Sequence, residues 1–366
     1  MKQRHIIQVG LMVLLVSVLS VMVWMKEDEV HSYSERRVLA QFPELSLKTI
    51  MSGEFMSEFE TYAQDQFPMR ESFRRLKSQV VYGIFRQKDQ HQVYIVDDHA
   101  SKIEYPLNEE MLDYAADQFE EIYEMYLKEC TEEIYFSVIP DKNYFLAEEN
   151  GYPVMDYEKL FSVMKEKTAY MKWIDITDTL ALEDYYFTDT HWRQEKLRGT
   201  AEVLAEEMGV TSAMEFQKCE VEEPFYGVYF GQSALPLEPD HISYLTNDVL
   251  DSCKVTCPDN GEEEEIALYD MEKAKGNDAY EMFLSGARAV VKIENPTTQS
   301  RKELVVFRDS FANSLIPLLV EGYSEIVLID LRYIDEIKIG EMTDFEGKDV
   351  LFLYSTLLLN NSLALK

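Results

Sequence analysis

The hydrophobic pattern of the chain opens with a long apolar run. Ile6 to Met25 is interrupted only by Gln8, Gly10, Ser17 and Ser20. As a helix these 20 residues cross a hydrocarbon core of about 30 Å. Lys2, Arg4 and His5 precede the run, and Lys26, Glu27 and Asp28 follow it without a small-x-small cleavage site. That arrangement predicts an uncleaved signal anchor, with basic residues on the cytoplasmic side and the rest of the chain outside the membrane.

Residues 26–55 are polar and mixed, and read as a stalk. Phe55, Phe59, Tyr62, Phe67, Phe73, Leu76, Val80 and Ile84 then recur at near-helical spacing, with Pro68 as a break. Residues 92–105 read as a short hairpin around Asp97–Asp98. Beyond it, helices alternate with short apolar strands. Helices are predicted over 109–128, 157–171, 191–208 and 311–321, and strands over 134–139, 173–176, 304–307, 326–329 and 350–354. Such alternation implies an α/β fold whose parallel sheet is covered on both faces. Residues 210–300 break the rhythm. They are acidic and aromatic, carry the run Glu262–Glu265, and predict an insertion of loops and short strands. The expected organisation is a transmembrane anchor at 1–25, a stalk and helical region at 26–90, and a main domain at 91–366 with the insertion inside it.

Composition narrows the function. The chain holds 35 Lys and Arg against 68 Asp and Glu, a net charge of −33. Such a surface repels nucleic acid and anionic lipid headgroups, which leaves neutral sugars and cationic polymers as acceptable partners. Four cysteines, Cys130, Cys219, Cys253 and Cys257, form no zinc-ligand pattern. Cys253 and Cys257 are close enough in sequence to bridge or to remain thiols. No metal or cofactor motif is present.

Two constellations carry chemistry. Phe307-Arg308-Asp309-Ser310-Phe311 joins an apolar strand to a helix. A serine there stands at the carboxyl end of a parallel strand, where open α/β sheets build ligand sites, and faces a helix N-terminus able to stabilise an oxyanion. Asp309 or Ser310 as a plain helix cap is the alternative. Thr188-Asp189-Thr190-His191-Trp192 lies in a polar loop. A serine nucleophile needs a base that changes protonation near neutral pH, and that base needs a carboxylate to fix its tautomer. Asp189 and His191, two residues apart, supply such a pair, and the scarcity of histidine, six in the chain, points to His191. Other strand ends offer Lys142 and Asn143 after Pro140, and Tyr354 before Ser355, as candidate donors to an oxyanion or substrate. Arg332 stands ready to pair with Asp309 or Asp330.

The two constellations together resemble the DHHW family, which is related to alginate O-acetyltransferase-like proteins with an SGNH hydrolase-type fold. Gln66-Phe67-Pro68-Met69-Arg70, Phe225-Tyr226-Gly227, Pro239-Asp240, Asp330-Leu331-Arg332-Tyr333 and Leu353-Tyr354-Ser355-Thr356 look like further blocks of that family, in the same order. Thr190 stands where the family name has a histidine, and Arg308 where a glycine usually precedes the Asp-Ser pair. The resemblance implies a flavodoxin-like α/β/α sandwich and a triad of Asp189, His191 and Ser310. The chemistry it implies is transfer of an acetyl group to an extracellular polysaccharide, or its removal. Tyr354 is then an oxyanion-side match, and Arg308 a residue that binds substrate or changes the backbone approach. A transferase of this kind needs an acyl donor outside the cell, hence a membrane-bound exporter of that donor as a partner. A non-catalytic carbohydrate-binding or assembly protein keeping the same fold is the other reading.

Overall fold

The computed structural model describes residues 2–129, 131–210, 215–258 and 263–366. Cys130 and Glu262 lie outside the described residues. The chain divides into two compact units, residues 1–91 with 230–237, and residues 92–229 with 238–366.

The first unit begins with α1 (Lys2–Met25). Its stretch Arg4–Val23 has a mean hydropathy of 2.7 and is long and apolar enough to cross a membrane. A two-strand ribbon follows, β1 (His31–Ser32) and β2 (Arg37–Val38), then α2 (Leu47–Ser52), α3 (Glu54–Asp65) and α4 (Arg70–Gln79). Ser46 caps α2 by accepting from Thr49 N, and Gly53, at φ +81°, turns α2 into α3 in a conformation that costs a glycine little. Pro68 separates α3 from α4, as its missing N–H requires. The Gln66-Phe67-Pro68-Met69-Arg70 block stitches this unit together. The Gln66 amide accepts from Glu29 N at 2.9 Å and donates to Glu29 O and Ala40 O. Arg70 pairs with Glu35 at 2.6 Å, and the Arg37 guanidinium holds the Asp65 carboxyl below its usual range.

The second unit opens with β3 (Val93–Val96) and β4 (His99–Lys102). Asp97 and Asp98 both take positive φ, 47° and 65°, the backbone of a two-residue hairpin turn. Then come α5 (Glu109–Ile122), β5 (Thr131–Ile139), α6 (Lys142–Leu146), α7 (Tyr157–Lys167), β6 (Lys172–Trp173) and α8 (Arg198–Glu207). The acidic middle supplies β7 (Gln217–Phe225), β8 (Asp240–Thr246), α10 (Asp248–Ser252), β9 (Lys254–Cys257), β10 (Glu264–Ile266) and β11 (Val290–Glu294), while most of α9 (Val228–Ser233) belongs to the first unit. The chain closes with β12 (Glu303–Arg308), α11 (Ala312–Leu315), β13 (Glu325–Ile329), α12 (Ile339–Met342), β14 (Lys348–Ser355) and α13 (Thr356–Leu359).

One eight-stranded sheet organises this unit, in the order β10-β9-β11-β13-β12-β14-β5-β6. The run β13-β12-β14-β5-β6 is parallel, and β11, β9 and β10 extend it antiparallel. The acidic middle is therefore partly built into the sheet. Alternate residues of the same strands enter two cores. Val306, Leu351 and Leu353 pack with Trp192, Leu204 and Phe311, whereas Phe307, Phe352 and Tyr354 pack with Phe119 of α5 and Leu160 of α7. With both faces covered, every residue of β14 is buried.

Several boundaries differ from the sequence expectation, for local reasons. The helix expected from residue 191 begins at Arg198, because residues 186–193 are held by loop hydrogen bonds. The helix expected over 311–321 is one α turn that tightens to a 3-10 form at Ile316–Gly322, where Pro317 has no N–H to donate. The strand expected at 173–176 reduces to Lys172–Trp173 on the sheet edge. Cys253 and Cys257 do not bridge; their thiols donate to Val249 O and Val290 O.

Candidate active site

The site forms where β12, β14 and β5 end. Past Arg308 the chain turns at Asp309, whose buried carboxylate accepts from Phe311 N at 3.0 Å and from Ser355 N at 2.8 Å. One carboxylate thus shapes the turn carrying Ser310 and pins it to the end of β14. The Ser310 hydroxyl lies 2.8 Å from His191 Nε2. On the far side of the ring, His191 Nδ1 lies 2.7 Å from Asp189 Oδ1. With the proton on Nδ1 donated to Asp189, Nε2 is left to accept from the serine hydroxyl.

The Asp189 carboxylate is buried and fully engaged. Oδ1 also accepts from His191 N at 3.1 Å, and Oδ2 from Val228 N at 2.8 Å. Its loop is braced from both sides. Asp240 accepts from Phe187 N and Thr188 N, each at 2.7 Å, and from the Thr188 hydroxyl at 2.6 Å. Gly227 N donates to Thr188 Oγ1 at 2.9 Å, and Tyr229 N to Thr188 O at 3.0 Å. A Cβ on Gly227 would stand 2.4 Å from Asp189 N and from Thr188 C and O, so only glycine lets the two segments approach this closely.

The imidazole itself is boxed by rings. Tyr280 stacks on it with centroids 3.8 Å apart and planes 9° from parallel, and Phe311 lies at 4.8 Å. The His191 side chain keeps 12% of its surface exposed. The next residue fastens the imidazole to the segment that carries Ser310. Trp192 Nε1 donates to Phe311 O and Ser314 Oγ, both at 3.0 Å. Gln194 repeats the clamp, donating to Ser314 O at 2.7 Å.

Asp189, His191 and Ser310 are thus brought together, but four other candidates are not. Asn143 is buried and spends its amide on Tyr94, Ser101, Lys102 O and Asp141. Lys142 is buried too. Its ammonium donates to Ala100 O and to Tyr186 O, the latter at 2.9 Å, tying the base loop to the β4 strand. Burial pushes its pKa down to about 7. Arg308 is fully buried, paired with Asp330 at 3.1 Å and donating to Arg288 O. Its side chain therefore bonds inside the fold and leaves no surface for substrate. Tyr354 is fully buried in the α5 core, stacked on Phe119 at 5.0 Å, on the sheet face opposite to Phe311 and Trp192. Strand alternation sends it there, whereas its neighbour Ser355 turns back to meet Asp309. Arg332 pairs with Asp330, with Nη2 at 2.6 Å.

Sequence reasoning missed Tyr280, which lies in an irregular stretch with no motif. It quoted Gly227, Asp240 and Trp192 only as family blocks, without a role. Among the described residues no group of three or more His, Cys, Asp and Glu side chains is placed to hold a metal ion.

No curated protein matches the sequence. Among solved structures, a DHHW family protein from Eubacterium siraeum aligns with a TM-score of 0.60 and 21% identity, over 74% of this chain and 92% of that one. Bacillus cereus PatB1, solved with a sulfonyl adduct, aligns with a TM-score of 0.58 and 20% identity, over 73% and 95% of the two chains. PatB1 without that adduct gives 0.57, 18%, 73% and 96%. At these identities the likeness is one of fold. In sequence, the family described as DHHW protein matches residues 162–329, the stretch that contains Asp189, His191 and Ser310. Residues 162–329 thus resemble the DHHW family in sequence, and the fold resembles that of a DHHW protein of known structure.

Proposed function

We propose that this protein is an extracytoplasmic serine-dependent acyl-transfer enzyme, an O-acetyltransferase or acetylesterase acting on a cell-surface or secreted polysaccharide. The observation that carries the reading is the unbroken line from Asp189 Oδ1 through His191 to Ser310 Oγ, with contacts of 2.7 and 2.8 Å. In this mechanism Ser310 Oγ attacks the acyl carbonyl while its proton passes to His191 Nε2. The tetrahedral oxyanion collapses, the ester C–O bond breaks, and His191 returns the proton to the leaving alcohol. A sugar hydroxyl or water then attacks the acyl-serine, again deprotonated by His191, and releases Ser310. Asp189 holds the tautomer throughout and stabilises the imidazolium. The α1 span holds the domain at the membrane, and a membrane-bound exporter supplies the acyl group in the transferase case. On this reading residues 1–25 are the anchor, 26–90 the stalk and helical region, and 91–366 an SGNH-like α/β/α catalytic domain.

The test is release of p-nitrophenol from its acetyl ester, with and without oligosaccharide acceptors, by the native chain and by Ser310→Ala. Removing the nucleophile should lower the rate by roughly 10³ or more. A sulfonyl fluoride should label the native chain at Ser310 and leave the variant unlabelled; PatB1, of like fold, was captured with a sulfonyl adduct. Full hydrolysis by Ser310→Ala would end the reading.

A further inference from the structure

We infer that α4 and the turn after it form a second membrane contact, a basic amphipathic face that lies on anionic lipid of the bilayer in which α1 is anchored. The inference rests on reading α1 as a membrane span. In a chain of net charge −33, residues 70–88 reverse the sign: Arg70, Arg74, Arg75, Lys77, Arg86 and Lys88 stand against Glu71 alone. Arg70 and Arg74 are used internally, on Glu35 and Glu71. Among the described residues, Arg75, Lys77 and Arg86 enter no ion pair. The apolar positions of the same segment, which sequence periodicity would bury, are left in solvent. Phe73 is 43% exposed, Leu76 57%, and Ile84 and Phe85 71% each. Phe73, Leu76 and Val80 follow the i, i+3, i+7 spacing of one helix face. Exposed apolar side chains interleaved with cations are the composition of a helix that rests in the headgroup region.

The partner is fixed by charge and by reach. Lys77 beside the exposed apolar face, with further cations along the same segment, matches a surface of anionic phospholipid, which offers phosphate above and acyl chain below. Reach follows from the chain itself. The apolar helix ends at Met25, and Glu29, four residues on, is bonded to Gln66 at 2.9 Å and 2.8 Å. Four extended residues span about 14 Å at most. The connection into α4, which starts four residues after Gln66, is therefore kept close to the point where the chain leaves the bilayer.

The experiment is amide hydrogen exchange on the full chain, in nanodiscs of phosphatidylcholine alone and in nanodiscs containing one third phosphatidylglycerol. Residues 70–88 should exchange at least tenfold more slowly with phosphatidylglycerol, since each basic residue near an anionic surface is worth roughly a fivefold factor. High salt, or the triple variant Arg75→Gln, Lys77→Gln, Arg86→Gln, should return exchange to the phosphatidylcholine level. These side chains are exposed, so the variant keeps its fold, and the lipid comparison needs no variant at all. Equal exchange in the two lipids would overturn the proposal. So would protection that survives in the triple variant, or protection in lipid-free detergent, which would mark a contact between copies of the chain.

Discussion

Gly227→Ala puts the site's architecture to the hardest test. The added methyl would begin 2.4 Å from Asp189 N and from Thr188 C and O. Ordinary carbon contacts need about 3.5 Å, so one segment must retreat by about 1 Å. Three hydrogen bonds cross that gap: Gly227 N to Thr188 Oγ1, Val228 N to Asp189 Oδ2, and Tyr229 N to Thr188 O, at 2.9, 2.8 and 3.0 Å. Stretched by that much they lose most of their value, at about 1 kcal/mol each. Overpacking adds about 1–3 kcal/mol. The expected destabilisation is therefore about 3–6 kcal/mol, unless the Asp189 loop yields instead. In that case the carboxylate moves away from His191 Nδ1, and a misplacement of about 1 Å costs roughly a hundredfold in rate. Differential scanning calorimetry and the acetyl-ester assay on the same sample read both routes. Gly199→Ala is the control: a Cβ there meets nothing within 4 Å, and it sits in the first turn of α8. It should leave the rate alone and stabilise by about 0.5–1 kcal/mol. A Gly227→Ala protein with native melting temperature and native rate would show that the close approach at Thr188–Asp189 is unimportant.

Three further outcomes are expected. Asp189→Asn keeps the shape but cannot both accept from Val228 N and hold the Nδ1–H tautomer, so ester hydrolysis should fall by roughly 10³–10⁴ while the fold persists by circular dichroism. Trp192→Phe removes the donor to Phe311 O and Ser314 Oγ and should cost about 1–3 kcal/mol, measured by denaturant unfolding. Lys142, whose ammonium burial holds at about 7, titrates near 10.4 when unfolded. Between those values the unfolded chain binds a proton that the folded chain does not, so this group makes stability rise with pH, by up to about 1.4 kcal/mol per unit. Melting temperature followed from pH 7.5 to 9.5 should show that rise in the native chain and a flatter line in Lys142→Met; identical slopes would contradict the assignment.

Much of this was legible before any coordinates. Short apolar strands declared the buried parallel sheet, because a strand covered on both faces has no polar side to show. Ser310 and the Asp189–His191 pair were readable because their chemistry demands particular residue types at strand ends and in loops. What failed was direction. Arg308 lies at a strand end but is taken up by Asp330, and Tyr354 lies at another, where a strand sends successive side chains to opposite faces. One residue of register separates the crevice from the α5 core. Lys142 and Asn143 lie just beyond β5 in sequence, but the β3–β4 hairpin takes up their hydrogen bonds first. Tyr280 left no trace, since stacking on an imidazole requires a neighbour in space and no spacing in sequence encodes one. The helix face of 70–88 was readable as periodic, but periodicity alone does not say whether the face meets protein or lipid.

The turn that bears Ser310 is completed by the last strand of the sheet: Asp309 receives one of its two hydrogen bonds from Ser355. The two residues stand 46 positions apart, so the support under the Ser310 hydroxyl is a long-range contact that forms only when β14 docks beside β12. On the proposed reading, a partly folded domain whose last strand is still undocked hydrolyses no ester, and activity returns in one step with that docking.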